Sequence, residues 1–268
     1  MLHHRLVAAG AVRGAWVTVA GPSQLSSLRW GTGIALLSCT SAAACVAVVK
    51  GPKGSPSPAV AFVTGNGGAT WAESSLPADF FPRSLQCFTS GACVAAGGSW
   101  SSQGHVGTIL YSTDGGATWA AAAPSAFGPA ISLSCADSSD CLAFANGNTD
   151  SATENMKDIA SQMLTSTDGG ASWQPVDAIG LPPGFVTGLS CPDTSDCWAA
   201  GISASGTSGL QGFLASSADF GETWQHAQLP QGIAVPRDVE CPTSTDCYAL
   251  AIQRSAGSVS VVFLAYGN

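Results

Sequence analysis

The chain has 268 residues, of which 10% are charged, and its formal net charge is −8. So few Lys and Arg side chains argue against a nucleic-acid partner, because binding to phosphates demands a basic face. No apolar run reaches the roughly 18 residues of a membrane span. The abundance of Gly, Ser, Thr, Ala and Val predicts strands and turns, and we expect a single all-β domain over residues 1–268.

The first segment, Met1–Ala20, is a poor signal peptide. It contains Arg5 and Arg13, and no unbroken apolar core with a cleavage site follows them. Either export is signalled elsewhere or the reading frame lacks its true start.

Five similar units follow along the chain. Each predicts strand A, a hairpin between two cysteines, strand B, a loop, strand C, a turn motif and strand D. The units span about 34–76, 83–123, 130–177, 185–229 and 235–268, the last completed by residues 12–20. The loops between strands B and C differ in length and composition: Lys50–Pro58, Gly97–Gly107, Asn146–Gln162 and Gly201–Gly212.

The turn motif occurs four times, as Val63–Trp71, Tyr111–Trp119, Thr165–Trp173 and Ala215–Trp224. Its acid or amide can accept N–H groups of its own turn, its glycines supply positive φ, and its tryptophan buries a large ring. We interpret the acids as turn braces, since an amide at one position keeps the acceptor but cannot serve as a general acid or base. The bracing positions are Asn66, Asp114, Asp168 and Asp219, and the tryptophans are Trp71, Trp119, Trp173 and Trp224.

This order of residues resembles the Asp-box, the bacterial neuraminidase repeat (BNR). Three copies are good, and a fourth has Asn66 in place of the acid. In that family the motif is the turn between the third and fourth strands of a propeller blade. The resemblance therefore implies an all-β fold, a β-propeller of four-stranded antiparallel blades. The group includes sialidase-like repeat proteins and photosystem II stability/assembly factor-like proteins.

Ten cysteines form five pairs of identical C-x5-C spacing. Pairing within each unit is the only scheme that treats the units alike, so we predict one disulfide hairpin per blade and an extracellular or cell-envelope location. The alternative is five pairs of buried free thiols in a cytosolic protein. Zinc sites favour shorter Cys spacings and further ligands, so no metal is expected. The predicted disulfides are Cys39–Cys45, Cys87–Cys93, Cys135–Cys141, Cys191–Cys197 and Cys241–Cys247.

The fifth unit stops where its turn motif would begin. Near the other end, Trp16 followed by Val17–Val19 looks like the tail of a motif and a strand D. We therefore expect the N-terminal strand to complete the fifth blade and close a five-bladed ring, which leaves no edge between the first and last blades. The alternative is a piece of a longer propeller of six or seven blades.

Ligand-binding candidates lie on the face that carries the B–C loops, around the channel where propellers generally bind. Arg83 and Arg237 each precede the first cysteine of a unit by four residues, and as strand starts they could clamp a carboxylate or phosphate. Their plainer interpretation is a solvated strand start. Further candidates in loops on that face are Arg254, Trp100, His105 and Glu154.

We expect a non-catalytic, exported binding or scaffold module, monomeric, without a cofactor, whose ligand is an unknown protein or glycan. The alternative is a sialidase-like glycoside hydrolase. Sialidases carry a Phe-Arg-Ile-Pro-like motif, and the nearest stretch here, Phe81–Ser84, departs from it. A lectin-like module with equivalent sites between blades is a third hypothesis, and the unequal loops argue against it.

Overall fold

The computed structural model describes residues 35–49, 59–77, 80–101, 104–123, 128, 130–146, 161–203, 211–255 and 258–267. Every regular secondary-structure element in these ranges is a β-strand, which confirms the predicted all-β class. None of the described residues belongs to a helix that could cross a membrane.

The strands form five antiparallel sheets, each a simple meander in sequence order. The predicted strand order A to D is therefore confirmed in four sheets, and three strands of the fifth are described. The predicted closing strand at residues 12–20 lies outside the described ranges. The sheets are β1(Ala35–Cys39), β2(Cys45–Val49), β3(Val60–Thr64) and β4(Ala72–Ser75); β5(Phe80–Cys87), β6(Cys93–Ser101), β7(Gly104–Ser112) and β8(Ala120–Ala121); β9(Ala130–Cys135), β10(Cys141–Ala145), β11(Gln162–Ser166) and β12(Gln174–Val176); β13(Gly184–Ser190), β14(Cys197–Ser203), β15(Gln211–Ser217) and β16(Gln225–Ala227); and β17(Ile233–Glu240), β18(Cys247–Ser255) and β19(Ser258–Tyr266).

A disulfide closes the first hairpin of every sheet. The first cysteine of a pair ends strand A or directly follows it, and the second begins strand B. In the second sheet the two face each other in the register as Cys87 and Cys93. All ten cysteines are used in this way, so the free-thiol alternative is wrong. The five disulfides indicate an oxidising environment.

The core lies between consecutive sheets. We call the face that a sheet turns to the following sheet its leading face, and the opposite one its trailing face. Val94 and Ile109 on the leading face of the second sheet pack against Leu133, Cys141 and Trp173 on the trailing face of the third. Equivalent clusters join the other neighbouring sheets, so cysteines and motif tryptophans lie on trailing faces. Burial between sheets is the main stabilising contribution to this arrangement.

The first strands of neighbouring sheets contact one another: β1 with β5, β5 with β9, β9 with β13, and β13 with β17. These strands therefore form the inner edge of the array, as strand A does in a propeller blade.

A polar contact repeats at every described junction between sheets. The N–H of a sheet's first cysteine donates to the side chain that directly precedes the first cysteine of the preceding sheet. The pairs are Cys87 to Ser38, Cys135 to Gln86, Cys191 to Ser134 and Cys241 to Ser190, each at 2.9 Å. This ladder fixes the register between sheets, because each backbone donor has one acceptor in reach.

Candidate functional site

Each motif aspartate is occupied by its own turn. Asp114 Oδ1 accepts the Thr118 N–H at 2.8 Å and the Ser112 hydroxyl at 2.8 Å, and Oδ2 accepts the Thr118 hydroxyl at 2.6 Å. Asp168 and Asp219 make the equivalent three contacts. All three carboxylates therefore accept hydrogen bonds within their own turns, as the turn-brace interpretation predicts.

Asn66 makes the equivalent three contacts without a charge. Its Oδ1 accepts the Thr70 N–H at 2.9 Å and the Thr64 hydroxyl at 3.0 Å, as an aspartate would. Its Nδ2 donates to the Thr70 hydroxyl at 2.8 Å, so this one hydrogen bond is reversed. The turn therefore forms without an ionised group.

The turn motif is anchored to the disulfide hairpin of its own sheet. The N–H of Gly115 donates to the Gly91 carbonyl at 2.8 Å, and that of Gly169 donates to the Ser139 carbonyl at 3.0 Å. Motifs and C-x5-C hairpins therefore share one end of the sheets. Strand B of each sheet ends, and strand C begins, at the other end.

The second glycine of the motif lies in close contact with the preceding sheet. Gly170 has φ of 86°, and a Cβ there would lie 2.7 Å from a methyl of Val94 on the preceding sheet. At the first glycine position the fourth motif has Phe220, which takes a positive φ of 52°. Its ring packs against the cluster between the third and fourth sheets. This contact offsets the cost of a left-handed non-glycine residue.

Hydrogen bonds hold the pKa of all three motif aspartates below the ordinary value. For Asp114 and Asp219 the first cause is the hydroxyl of the threonine four residues later, followed by that residue's N–H. For Asp168 burial is the largest single influence and acts to raise the pKa, but the hydrogen bonds from Ser172 and Ser166 together outweigh it. The folded state therefore favours the ionised form at all three positions.

We expect the acid sensitivity of the fold to depend on these carboxylates. Since their folded pKa values lie below the unfolded value of about 3.9, their contribution is complete above that pH and is lost as pH falls through the lowered values. Asp114→Asn should flatten the acid limb of a plot of urea midpoint against pH, with only a small loss at neutral pH. Asn66→Asp is the converse variant and should steepen it. An unchanged acid limb in both variants would contradict this role.

The two candidate arginines lie at β-bulges on inner strands. The register of β5 with β6 skips Arg83, between Pro82 and Ser84, and that of β17 with β18 skips Arg237. Both residues are exposed, and both lie within their strands. The expectation that they start strands is therefore wrong. A bulge turns an unpaired residue out of the ladder and often lies next to a binding site.

The bulge is a repeated device. Ile131 and Thr187 occupy the same position in the third and fourth sheets and are also skipped in the register. Four inner strands thus carry an unpaired residue at this position, and two of the four are arginines. Arg83 belongs to the second sheet and Arg237 to the fifth, so two sheets separate them and any joint action requires a ligand that spans the inner edge.

The other candidates are placed differently from their prediction. Trp100 on β6 and His105 on β7 are backbone partners, and Arg254 lies on β18 opposite Val259. Their assignment to loops is wrong, because the paired strands extend to a short connection between Ser101 and Gly104. Glu154 lies outside the described residues. Within the described ranges, no group of three His, Cys, Asp or Glu side chains could hold a metal ion.

A cleft of about 280 Å³ lies between the first and second sheets, at the end that carries the disulfide hairpins and the turn motifs. Its walls include Thr40 and Phe88 of the disulfide hairpins and Asp114 of a motif. Because both oxygens of Asp114 are used within its turn, the cleft offers mainly backbone and apolar surface. Neither Arg83 nor Arg237 lines this cleft.

Sequence reasoning missed the bulges and the polar ladder. A signal for the ladder exists, since the residue before the first cysteine is polar in every unit: Ser38, Gln86, Ser134, Ser190 and Glu240. Alone, that pattern does not separate a contact between sheets from an exposed strand position. The bulges leave no such mark, because Arg, Ile and Thr all occupy them.

Comparison with known proteins confirms the resemblance to the repeat. Residues 110–121 match the family model described as BNR/Asp-box repeat. This match covers the second motif and identifies the repeat. No curated protein matches the sequence.

Solved β-propeller structures share the fold. YCF48 bound to D1 peptide is 15% identical, with a TM-score of 0.51, over 90% of this chain and 69% of that one. The GH74 xyloglucanase from Xanthomonas campestris is 15% identical, with a TM-score of 0.57, over 86% and 36%. A Hadza microbial sialidase is 14% identical, with a TM-score of 0.56, over 87% and 52%. The chain thus spans from about a third to two thirds of these structures, and likeness at this identity shows the fold alone.

Proposed function

We propose that this chain is an exported, non-catalytic β-propeller module, a single domain that binds a protein or glycan ligand at the loop-rich end of its inner strands. The observation that carries the proposal is the pair of exposed arginines, Arg83 and Arg237, at equivalent bulges on the inner edge. A guanidinium offers a planar fork of donors suited to carboxylates and phosphates. The motif carboxylates, by contrast, are used in their turns.

The ligand class expected from two arginines is an anionic glycan or a peptide with a carboxylate. The test is a glycan array that contains sialylated, uronate and neutral glycans, together with an array of peptides with free C-termini. We expect binders to carry carboxylates. Arg83→Ala and Arg237→Ala should each weaken the best binder roughly 10- to 100-fold, as expected for a lost charged hydrogen bond.

Two further variants make this test specific. Arg83→Lys keeps the charge but loses the fork, so it should recover only part of the affinity. Glu222→Gln changes a charge at the opposite end, in the fourth motif, and should leave affinity unchanged. Equal losses in Glu222→Gln and Arg83→Ala, or binding that ignores ligand charge, would contradict the proposed site.

A sialidase-like glycoside hydrolase is the second candidate, and one observation favours it. Asp238 and Glu240 on inner strand β17 both keep exposed surface. Partial desolvation raises the pKa of Asp238, and partial desolvation together with the neighbouring Asp238 charge raises the pKa of Glu240. Two carboxyl groups of this kind can share acid and base roles in glycoside hydrolysis. Turnover of aryl glycosides, including sialosides, that is lost in Arg83→Ala and Asp238→Asn would establish this function instead.

A further inference from the structure

The five disulfides differ in how readily a reagent in solution can reach them. In the second to fifth sheets, both cysteines of each pair are at most 8% exposed and pack in the clusters between neighbouring sheets. In the first sheet, Cys39 is exposed and Cys45 is half-buried, and neither belongs to a cluster of the described residues. A thiol can therefore reach this one disulfide without separating two sheets.

Burial on the trailing face of the first sheet does not extend to its disulfide. Val49 on β2 and Phe62 on β3 lie on this face and are 1% and 2% exposed. Leu37, on β1 two residues before Cys39, is 56% exposed. The exposed part of this face is therefore the inner strand that ends in the disulfide.

The hairpin of the first sheet is uncharged. Its residues 40–44 contain no acidic side chain, and those of the second hairpin contain none either, but there the cysteines are buried. The other three hairpins carry one or two aspartates each: Asp137 and Asp140, Asp193 and Asp196, and Asp246. Within residues 35–49 and 59–77 the one carboxylate is Glu73, on β4 at the opposite edge of the sheet from β1. An attacking thiolate is an anion, so it meets less repulsion at the first hairpin than at the last three.

The turn motif of the first sheet is uncharged as well. Asn66 stands where the other three motifs have an aspartate, and the N–H of Gly67 donates to the Ala43 carbonyl of the hairpin at 2.8 Å. The amide therefore keeps the turn that contacts this hairpin neutral. Asp114 of the second sheet lines the cleft on the leading side of Cys45, but both of its oxygens accept hydrogen bonds within its own turn.

We propose that exposure and uncharged surroundings make Cys39–Cys45 a site of thiol–disulfide exchange with dithiols, and that the other four disulfides are structural. A thiolate attacks Sγ of Cys39 and forms a bond to it, the S–S bond between the two cysteines breaks, and the Cys45 sulfur leaves as a thiolate. The second thiol of the reagent, as a thiolate, then attacks the reagent's own sulfur in the mixed disulfide and releases Cys39 as a thiolate. The dithiol is oxidised to a disulfide, the protein disulfide is reduced by two electrons, and the two cysteine thiolates take up the protons that the reagent lost. Neither Arg83 nor Arg237 takes part, so this site is independent of the ligand site proposed above.

Other contacts hold the hairpin in shape when its S–S bond opens. The N–H of Thr40 donates to the Ala44 carbonyl at 2.9 Å. The hydroxyl oxygen of Ser41 accepts the N–H of Ala43 at 3.2 Å and that of Ala44 at 3.0 Å. The reduced chain should therefore keep its sheets, so that the pair can be opened and closed again in the folded protein.

The test is limited reduction of the oxidised full chain, under native conditions, with increasing concentrations of dithiothreitol. Free thiols are trapped by alkylation at intervals, peptide mass spectrometry gives the alkylated fraction of each pair, and circular dichroism monitors the fold. We expect Cys39 and Cys45 to react at least about ten times faster than any other pair, because reaction at a buried pair requires two sheets to open first. Equal rates at all five pairs, or a faster rate at a buried pair, would overturn the proposal.

The contribution of charge is tested at Ser41. Asp137 and Asp193 hold the equivalent position and accept the N–H groups two and three residues later, as Ser41 does. Ser41→Asp should therefore keep the hairpin and slow the reduction of Cys39–Cys45 by about two- to fivefold at low salt, with a smaller effect at high salt. Ser41→Asn is the matched neutral variant and should react at the wild-type rate. Equal rates for the two variants at low salt would contradict the role assigned to the uncharged surroundings.

Discussion

Replacement of Trp173 by alanine is expected to lower the free energy of unfolding by about 3–5 kcal/mol, the range for deletion of a fully buried aromatic ring. Trp173 has no exposed surface and packs in the cluster between the second and third sheets. Its indole N–H donates to the Gly170 carbonyl at 3.0 Å, so the turn and the cluster share this side chain. The loss should be measured by urea unfolding followed by circular dichroism.

Trp71→Ala is the matched control. Trp71 holds the same motif position on the first sheet, but it is only partly buried and packs against a smaller cluster of Val49 and Phe62. Its indole nitrogen is buried without a described acceptor, so no hydrogen bond is lost with the ring. We expect at most about half the destabilisation of Trp173→Ala, because less apolar area leaves water on folding. Equal losses at the two positions would show that the motif, and not the junction, sets the cost.

Two local patterns made the sheet architecture predictable. The C-x5-C spacing defines a closed hairpin between strands A and B, and the motif defines the turn between strands C and D. Both patterns depend on residues within one turn, where Asp114 meets Thr118 or Cys87 meets Cys93. Contacts over so short a separation can be predicted from local sequence, since turns require particular residue types at fixed spacings.

The candidate site was less predictable, because it depends on register. Arg83 was expected at a strand start, and only the pairing of Pro82 with Gly97 and of Ser84 with Ala96 shows that it is the unpaired residue of a bulge. Similarly, the Gly-rich stretch around Trp100 suggests a loop, but pairing with β7 continues the strand through it. Pairing across a sheet involves partners that local composition does not identify.

The two ends of the sheets differ in how regularly their residues repeat from sheet to sheet. At the end with the hairpins and motifs, backbone N–H groups donate to side-chain acceptors of their own turns, such as Asp114 and Asp137, which makes that end rigid. At the other end, the segments that join strands B and C differ in length and composition from sheet to sheet. Variation that leaves the core unchanged is best tolerated there, and binding residues concentrate on such loops.

Removal of the third disulfide is expected to have the second large effect. For Cys135→Ala/Cys141→Ala, the release of a loop of seven residues costs about 2.4 kcal/mol in the loop-entropy treatment. Both cysteines are also buried in the cluster around Trp173, so some packing is lost in addition. We expect a total loss of about 3–4 kcal/mol in the free energy of unfolding. Alanine is preferred to serine, since a buried hydroxyl would add a desolvation cost of its own.

Cys39→Ala/Cys45→Ala separates the two contributions. This pair closes a hairpin of the same length, but Cys39 is exposed and Cys45 is only half-buried. Its loss should therefore approach the loop contribution of about 2.4 kcal/mol alone. The difference between the two double variants, measured by urea unfolding, then reports the packing of cysteines between sheets. If the first-sheet variant loses more stability than the third-sheet variant, the cluster between sheets is not what the buried disulfide supports.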